Sequence, residues 1–139
     1  MQIDFYQTKI NKDYFTNYTM AIKTTRKIFL TIKKKTKRKP YIRATYFRKQ
    51  KVFLDYFWQH LFDKNPKERT SRLQYFRVAL ELIKSTRKNP VTEPNRNKSM
   101  ETLYRFLGRT KDGYVFAVQI KEDKRSGNKH FMSCFPIRM

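Results

Sequence analysis

Between Glu101 and Glu122 the chain alternates aromatic or β-branched residues with others on both sides of Lys111-Asp112-Gly113, the pattern of a β-hairpin. Side chains along a strand alternate faces with period two, so the way this turn closes decides every cross-strand contact. A two-residue turn at Asp112-Gly113 sets Arg105 opposite Ile120 and Tyr104 opposite Lys121. A three-residue loop from Lys111 to Gly113, with Gly113 left-handed, sets Arg105 opposite Gln119, Leu103 opposite Lys121 and Phe106 opposite Val118. The second closure is favoured, because the first buries Arg105 among aliphatic residues without a partner. It sends Tyr104, Phe106, Phe116, Val118 and Ile120 toward helices and leaves Arg105, Gln119 and Lys121 together on the opposite face. A third strand, Lys129 to Ile137, follows a loop from Lys124 to Asn128 that contains Gly127. The same parity then brings Ser133 across from Gln119. An Arg, Gln, Lys and Ser cluster on a sheet is suited to cradling a phosphate; the plainer reading is a set of polar residues on a solvated face.

Charge narrows the class of partner. The chain carries 33 Lys and Arg against 11 Asp and Glu, a formal net charge of +22. No acid lies between residues 14 and 54. A fold with this self-repulsion works beside a polyanion, and nucleic acid is the first candidate. Arg26 to Ile32 reads as a strand through Ile28, Leu30 and Ile32, paired with Tyr41 to Phe47. The intervening Lys33-Lys34-Lys35-Thr36-Lys37-Arg38-Lys39 run is then a hairpin tip: merely solvated, a phosphate grip, or a localisation signal. With Arg43 and Arg48 it makes a candidate RNA-binding surface, on which Tyr41, Tyr46 and Phe47 stack on unpaired bases.

Lys51 to Phe62 has a helical period, with Phe53, Leu54, Phe57, Trp58 and Leu61 on one face. At about 100° per residue, His60 falls on the border of that face. A histidine there is often only a boundary residue, yet it titrates near neutral pH. Asn65-Pro66-Lys67-Glu68 is a helix start, since Asn caps and Pro fits the first helical position. The helix is expected to run to about Lys88, with a polar linker from Asn89 through Ser99 after it. Residues 1–20 have weak periodicity and are left as an arm of undefined conformation; residues 21–139 read as one α+β domain.

The remaining composition excludes several chemistries. With 39% apolar residues, 12 Phe and 9 Tyr, the chain can bury a core. The single Cys134 cannot form an internal disulfide and fits a buried strand position in a reducing, cytoplasmic setting. Scattered acids, two His and one Cys are a poor supply of metal ligands, so neither a metal nor another cofactor is expected. No apolar run is long enough to span a bilayer, so no membrane partner is expected.

These pieces resemble a known group. Two helices and then a curved antiparallel sheet, with Trp58-Gln59-His60-Leu61 on the first helix, Leu103-Tyr104-Arg105-Phe106, Phe116-Ala117-Val118-Gln119-Ile120-Lys121-Glu122 and the late Ser133-Cys134-Phe135-Pro136, resemble the barnase, EndoU, colicin and RelE superfamily of small metal-independent ribonucleases. The likeness is to its phage and mobile-element branch and covers roughly Lys39 to Met139. It implies helices packed on one face of a curved antiparallel sheet that ends in a three-stranded meander. It also implies toxin-like RNA cleavage, in which the ribose 2′-hydroxyl attacks the adjacent phosphate, with an acidic antitoxin or immunity protein and the ribosome as partners. Carried over by position, His60 is the helix histidine, Arg105 and Lys121 are the basic strand residues that offset phosphorane charge, and Ser133 is the hydroxyl that holds a nonbridging oxygen. His130 is the alternative proton carrier. Glu101 and Glu122 are the nearest carboxylates; the first reads as leading into a strand and the second as starting a turn.

Overall fold

A computed structural model describes residues 4–94 and 100–138. The architecture is α+β, with helices against a strongly curved sheet that ends in a three-stranded meander. In chain order the elements are β1 (Phe5–Gln7), α1 (Tyr18–Thr36), β2 (Tyr41–Ala44), β3 (Gln50–Phe53), α2 (Asp55–Phe62), α3 (Pro66–Leu73), α4 (Phe76–Ser85), β4 (Val91–Pro94), β5 (Glu101–Arg109), β6 (Val115–Asp123) and β7 (Lys129–Pro136). The sheet order is β1-β5-β6-β7-β3-β2, and β4 shares the β1 edge of β5. The sheet is mixed where an antiparallel one was expected, because β1 runs parallel to β5 and β3 parallel to β7.

The first meander turn closes as the three-residue loop. Thr110 N–H donates to the Tyr114 carbonyl at 2.8 Å, Gly113 N–H donates to the Thr110 carbonyl at 2.9 Å, and Gly113 takes a φ of 96°. Arg105 therefore faces Gln119, Leu103 faces Lys121 and Phe106 faces Val118. The second turn is one residue tighter than expected: Asp123 N–H donates to the Asn128 carbonyl at 3.0 Å, and Glu122 pairs with Lys129. The spare residue reappears as a bulge. Ile120 pairs with Phe131 and Gln119 with Ser133, which leaves Met132 without a partner residue on β6. Ser133 thus lies opposite Gln119 through a bulge and not through regular pairing.

Three expectations of the helical half are corrected. The strand assigned to Arg26 to Ile32 is the middle of α1, and Leu30 is 47% exposed. Ala21, Thr25, Ile28, Phe29 and Ile32 fit a period of three to four just as Ile28, Leu30 and Ile32 fit a period of two, and packing decides between them. Phe29 meets Trp58 of α2 edge-on at 5.4 Å, and Asn17 caps the helix by accepting from Met20 N–H at 2.8 Å. Lys33, Lys34 and Lys35 occupy its last turn, where cations favour the helix dipole. The Lys33 to Lys39 run is accordingly a helix end and a loop, not a hairpin tip, and β2 pairs with β3 instead. The helix expected from Lys51 begins only at Asp55, because Gln50–Phe53 pairs with β2.

Asn65 caps α3 through Glu68 N–H at 2.9 Å, but the long helix expected after it breaks at Gln74 and Tyr75 into α3 and α4. The polar linker begins with a strand, β4, and its residues 95–99 lie outside the described residues. Among the described residues, no helix is long and apolar enough to cross a membrane.

The buried core joins one sheet face to the helices. Phe57 of α2 stacks on Phe131 of β7 at 4.9 Å, and Phe76 of α4 contacts Phe57 at 5.1 Å. The arm is tied to the same body: Tyr6 and the Lys9 amide donate to Glu81, and Asp13 pairs with Arg77 at 2.9 Å. Gly108 lies where α4 presses closest to β5. A Cβ there would stand 2.6 Å from the Phe116 ring and 2.8 Å from Leu82, both fully buried. Gly108→Ala should therefore destabilise the protein by about 1–3 kcal/mol through overpacking, read as a lower urea midpoint at unchanged slope.

Candidate functional site

The period of two that buries Phe106, Phe116, Val118 and Ile120 sends Leu103, Arg105, Ala117, Gln119 and Lys121 to the opposite, open face. Paired residues share a face, so the ladder defines two rows. One runs Arg105, Gln119, Ser133; the next, two residues along, runs Leu103, Lys121, His130. Directly opposed Cα atoms stand about 4.5–5.5 Å apart. The sequence-derived candidates Arg105, Gln119, Lys121 and Ser133 are therefore together on one face, and His130 joins them. Arg105 is exposed and forms no ion pair among the described residues.

Helices at the edge of the sheet complete the site. β3 pairs with β7 only at Lys129 and His130, so the rest of β7 borders α2 and α3. Arg72, in the last turn of α3, sends its guanidinium to the open face, where Nη1 donates to Ser133 Oγ and the group lies 5.3 Å from the Phe135 ring. Its backbone carbonyl accepts from the Cys134 thiol on the core side. Cys134 is fully buried, which pushes its thiol pKa up and leaves it unsuited to act as a nucleophile. Tyr56, in the first turn of α2, stacks on His130 at 4.4 Å, and the Lys121 ammonium lies 4.5 Å from the same tyrosine ring. Lys121 also pairs with Glu101 at 2.9 Å, with both side chains largely buried. Glu122 points to the other face, where Tyr104 donates to it at 2.6 Å and Lys129 pairs with it at 3.2 Å. That contact, after burial, holds the Tyr104 phenol up at about 12.

His60 is exposed on α2. Desolvation is the main cause that lowers its pKa below the usual 6.5; Asp63 opposes, while Lys64, Lys121 and Arg72 add to the lowering. His130 is lowered by burial first, then by Lys121 and Lys39, with Asp123 and Asp55 opposing. Both imidazoles are thereby biased to the neutral form at neutral pH, the form that accepts a proton.

The other basic candidates lie elsewhere. Lys33, Lys34 and Lys35 are exposed on the last turn of α1, Lys37, Arg38 and Lys39 form the loop after it, and Arg43 lies on β2 and Arg48 in the β2–β3 turn. Tyr41 shares the open face, whereas Phe47 is buried and Tyr46 packs on it at 5.1 Å and on Phe106 at 5.3 Å, so these two are not presented for stacking. Sequence reasoning missed Arg72 and Tyr56. Arg72 had been placed only on a helix rim, and the signal that could have raised it, an arginine beside the helix stop Gln74-Tyr75, is weak.

The shared electrostatics are testable by NMR titration of the histidines. Both should titrate below 6.5. Lys121→Met should move both upward, and Arg72→Met should move His60 more than His130. The sign for stability follows: each folded-state pKa is depressed, so the unfolded chain takes up protons first. Stability should then fall as pH drops below about 6.5 and level off below the depressed values, as read from urea midpoints across pH.

Comparison of the chain with protein-family models, with curated proteins and with solved structures found no match.

Proposed function

We propose that the protein is a metal-independent endoribonuclease of the toxin type, cleaving RNA by attack of the ribose 2′-hydroxyl on the neighbouring phosphate. The observation that carries this reading is the gathering, on one open sheet face, of Arg105, Gln119, Lys121 and Ser133 with Arg72 and two histidines of lowered pKa. A phosphodiester on this face meets two guanidinium groups and one ammonium, the donors that offset charge as phosphorus becomes five-coordinate. A neutral imidazole takes the 2′-hydroxyl proton while the 2′-oxygen bonds to phosphorus. The bond from phosphorus to the 5′-oxygen breaks, and that oxygen takes a proton from solvent. The products are a cyclic phosphate end and a 5′-hydroxyl end.

His130 is the better placed of the two candidate bases. It is the direct cross-strand neighbour of Lys121 and is held in orientation by Tyr56, whereas His60 projects from an exposed helix position. Ser133 supports the face by accepting from Arg72, which fixes that guanidinium at the rim. Glu101 partly offsets the charge of Lys121, so Arg105 is the freest cation for the phosphate.

Purified protein incubated with total RNA in EDTA should release fragments with cyclic phosphate ends. Arg105→Ala should lower the rate at least tenfold. His130→Ala should do the same and abolish the acid limb of the pH profile, in which the rate rises as pH climbs through the depressed histidine pKa. Full activity in both variants would remove these assignments. Tight, salt-sensitive RNA binding with no cleavage would favour a non-enzymatic RNA-binding protein instead.

A further inference from the structure

The site lies on a longer track. β2 pairs with β3 so that Tyr41 faces Phe53, and Phe53 pairs in turn with His130. The row that ends in His130 and Lys121 therefore continues through Phe53 to Tyr41, all on one face of the sheet. At its far end is a cleft of about 690 Å³, where Lys37, Arg38 and Lys39 approach Tyr41, Lys51 and Phe53. Three strand spacings, about 14 Å in all, separate Tyr41 from Lys121, a distance that a few nucleotides span. Lys39 is close enough to His130 to contribute to its lowered pKa, so the cleft and the site share one field.

The geometry points to a second subsite: the cleft holds one unpaired nucleotide of an RNA strand whose scissile phosphate lies on β5 to β7, with its base against Tyr41 and its phosphate on Lys37, Lys39 and Lys51. This rests on the reading of the open face as an RNA site and adds the substrate class, single-stranded RNA. A paired base cannot leave its helix to lie on an aromatic ring, whereas an unstacked one can. The Tyr41 ring meets Phe53 edge-on at 6.2 Å, and the Lys51 ammonium rests 4.6 Å from its centroid. Lys51 is exposed, so a phosphate can draw that ammonium aside and uncover the ring.

Lys37 supplies an independent indication. It ends α1 with a φ of 64°, a left-handed position where glycine is the usual residue. Such strain gathers at binding sites, and here the strained residue lines the cleft with a cation.

The test uses a fluorescent 2′-O-methyl oligoribonucleotide, which lacks the attacking hydroxyl and so reports binding without cleavage. Tyr41→Ala should weaken binding of the single strand about tenfold and leave a duplex of equal length unaffected. Lys37→Gly should raise the urea midpoint while lowering the slope of log affinity against log salt by about 0.7. Unchanged single-strand affinity in Tyr41→Ala, or equal losses for strand and duplex, would overturn the subsite. An unchanged salt slope in Lys37→Gly would overturn its phosphate contact, and that variant stays informative if Tyr41→Ala folds poorly. Because the probe cannot be cut, these results stand apart from the cleavage assay: binding as expected with no cleavage of total RNA would sink the ribonuclease reading alone.

Discussion

The strict alternation of side chains along β5 to β7 is the constraint on which the rest of this structure depends. A strand offers two faces, and one must be apolar enough to receive Phe57, Phe76 and the other core aromatics. Once that face is committed, polar residues at the intervening positions have nowhere to go but the other side. Arg105, Gln119 and Lys121 are gathered by that exclusion as much as by any attraction among them. The hydrogen bonds that close the turn between Thr110 and Tyr114 enforce it, because a loop shorter by one residue would put Arg105 into the core.

Helices supply what the strands cannot. α2 and α3 lie along the part of β7 that β3 leaves uncovered, and each serves both sides of the sheet edge. From α2, Phe57 enters the core while its neighbour Tyr56 settles on His130. From α3, the carbonyl of Arg72 meets the buried Cys134 thiol while its guanidinium turns outward to Ser133. Packing energy is thus coupled to site geometry: the contacts that seat these helices also fix the orientation of groups on the open face.

The parts legible in the sequence were those set by local chemistry. The glycine at Gly113, the Asn65 cap and the apolar alternation of the last strands each have a local physical cause, and each is found where the sequence implied it. The parts that were not legible depend on contacts distant along the chain. In α1, threonine and isoleucine favour a strand locally, and only packing beneath Trp58 and the other helices makes the segment helical. Threonine hydroxyls are accommodated there by donating to carbonyls one turn back, as Thr25 does to Ala21 at 2.8 Å. Arg72 and Ser133 are 61 residues apart, a pairing that no periodicity could announce.

The unpaired Met132 makes one position of the last strand different in kind from its neighbours. Loss of a residue elsewhere in β7 would invert everything beyond it, trading the hydroxyl of Ser133 for the thiol of Cys134. Loss of Met132 alone would restore a regular ladder with both of those groups still facing as they do now. A gene of this kind could therefore gain or shed one codon there and keep its chemistry, which makes the bulge the natural place for length variation in an otherwise unforgiving strand.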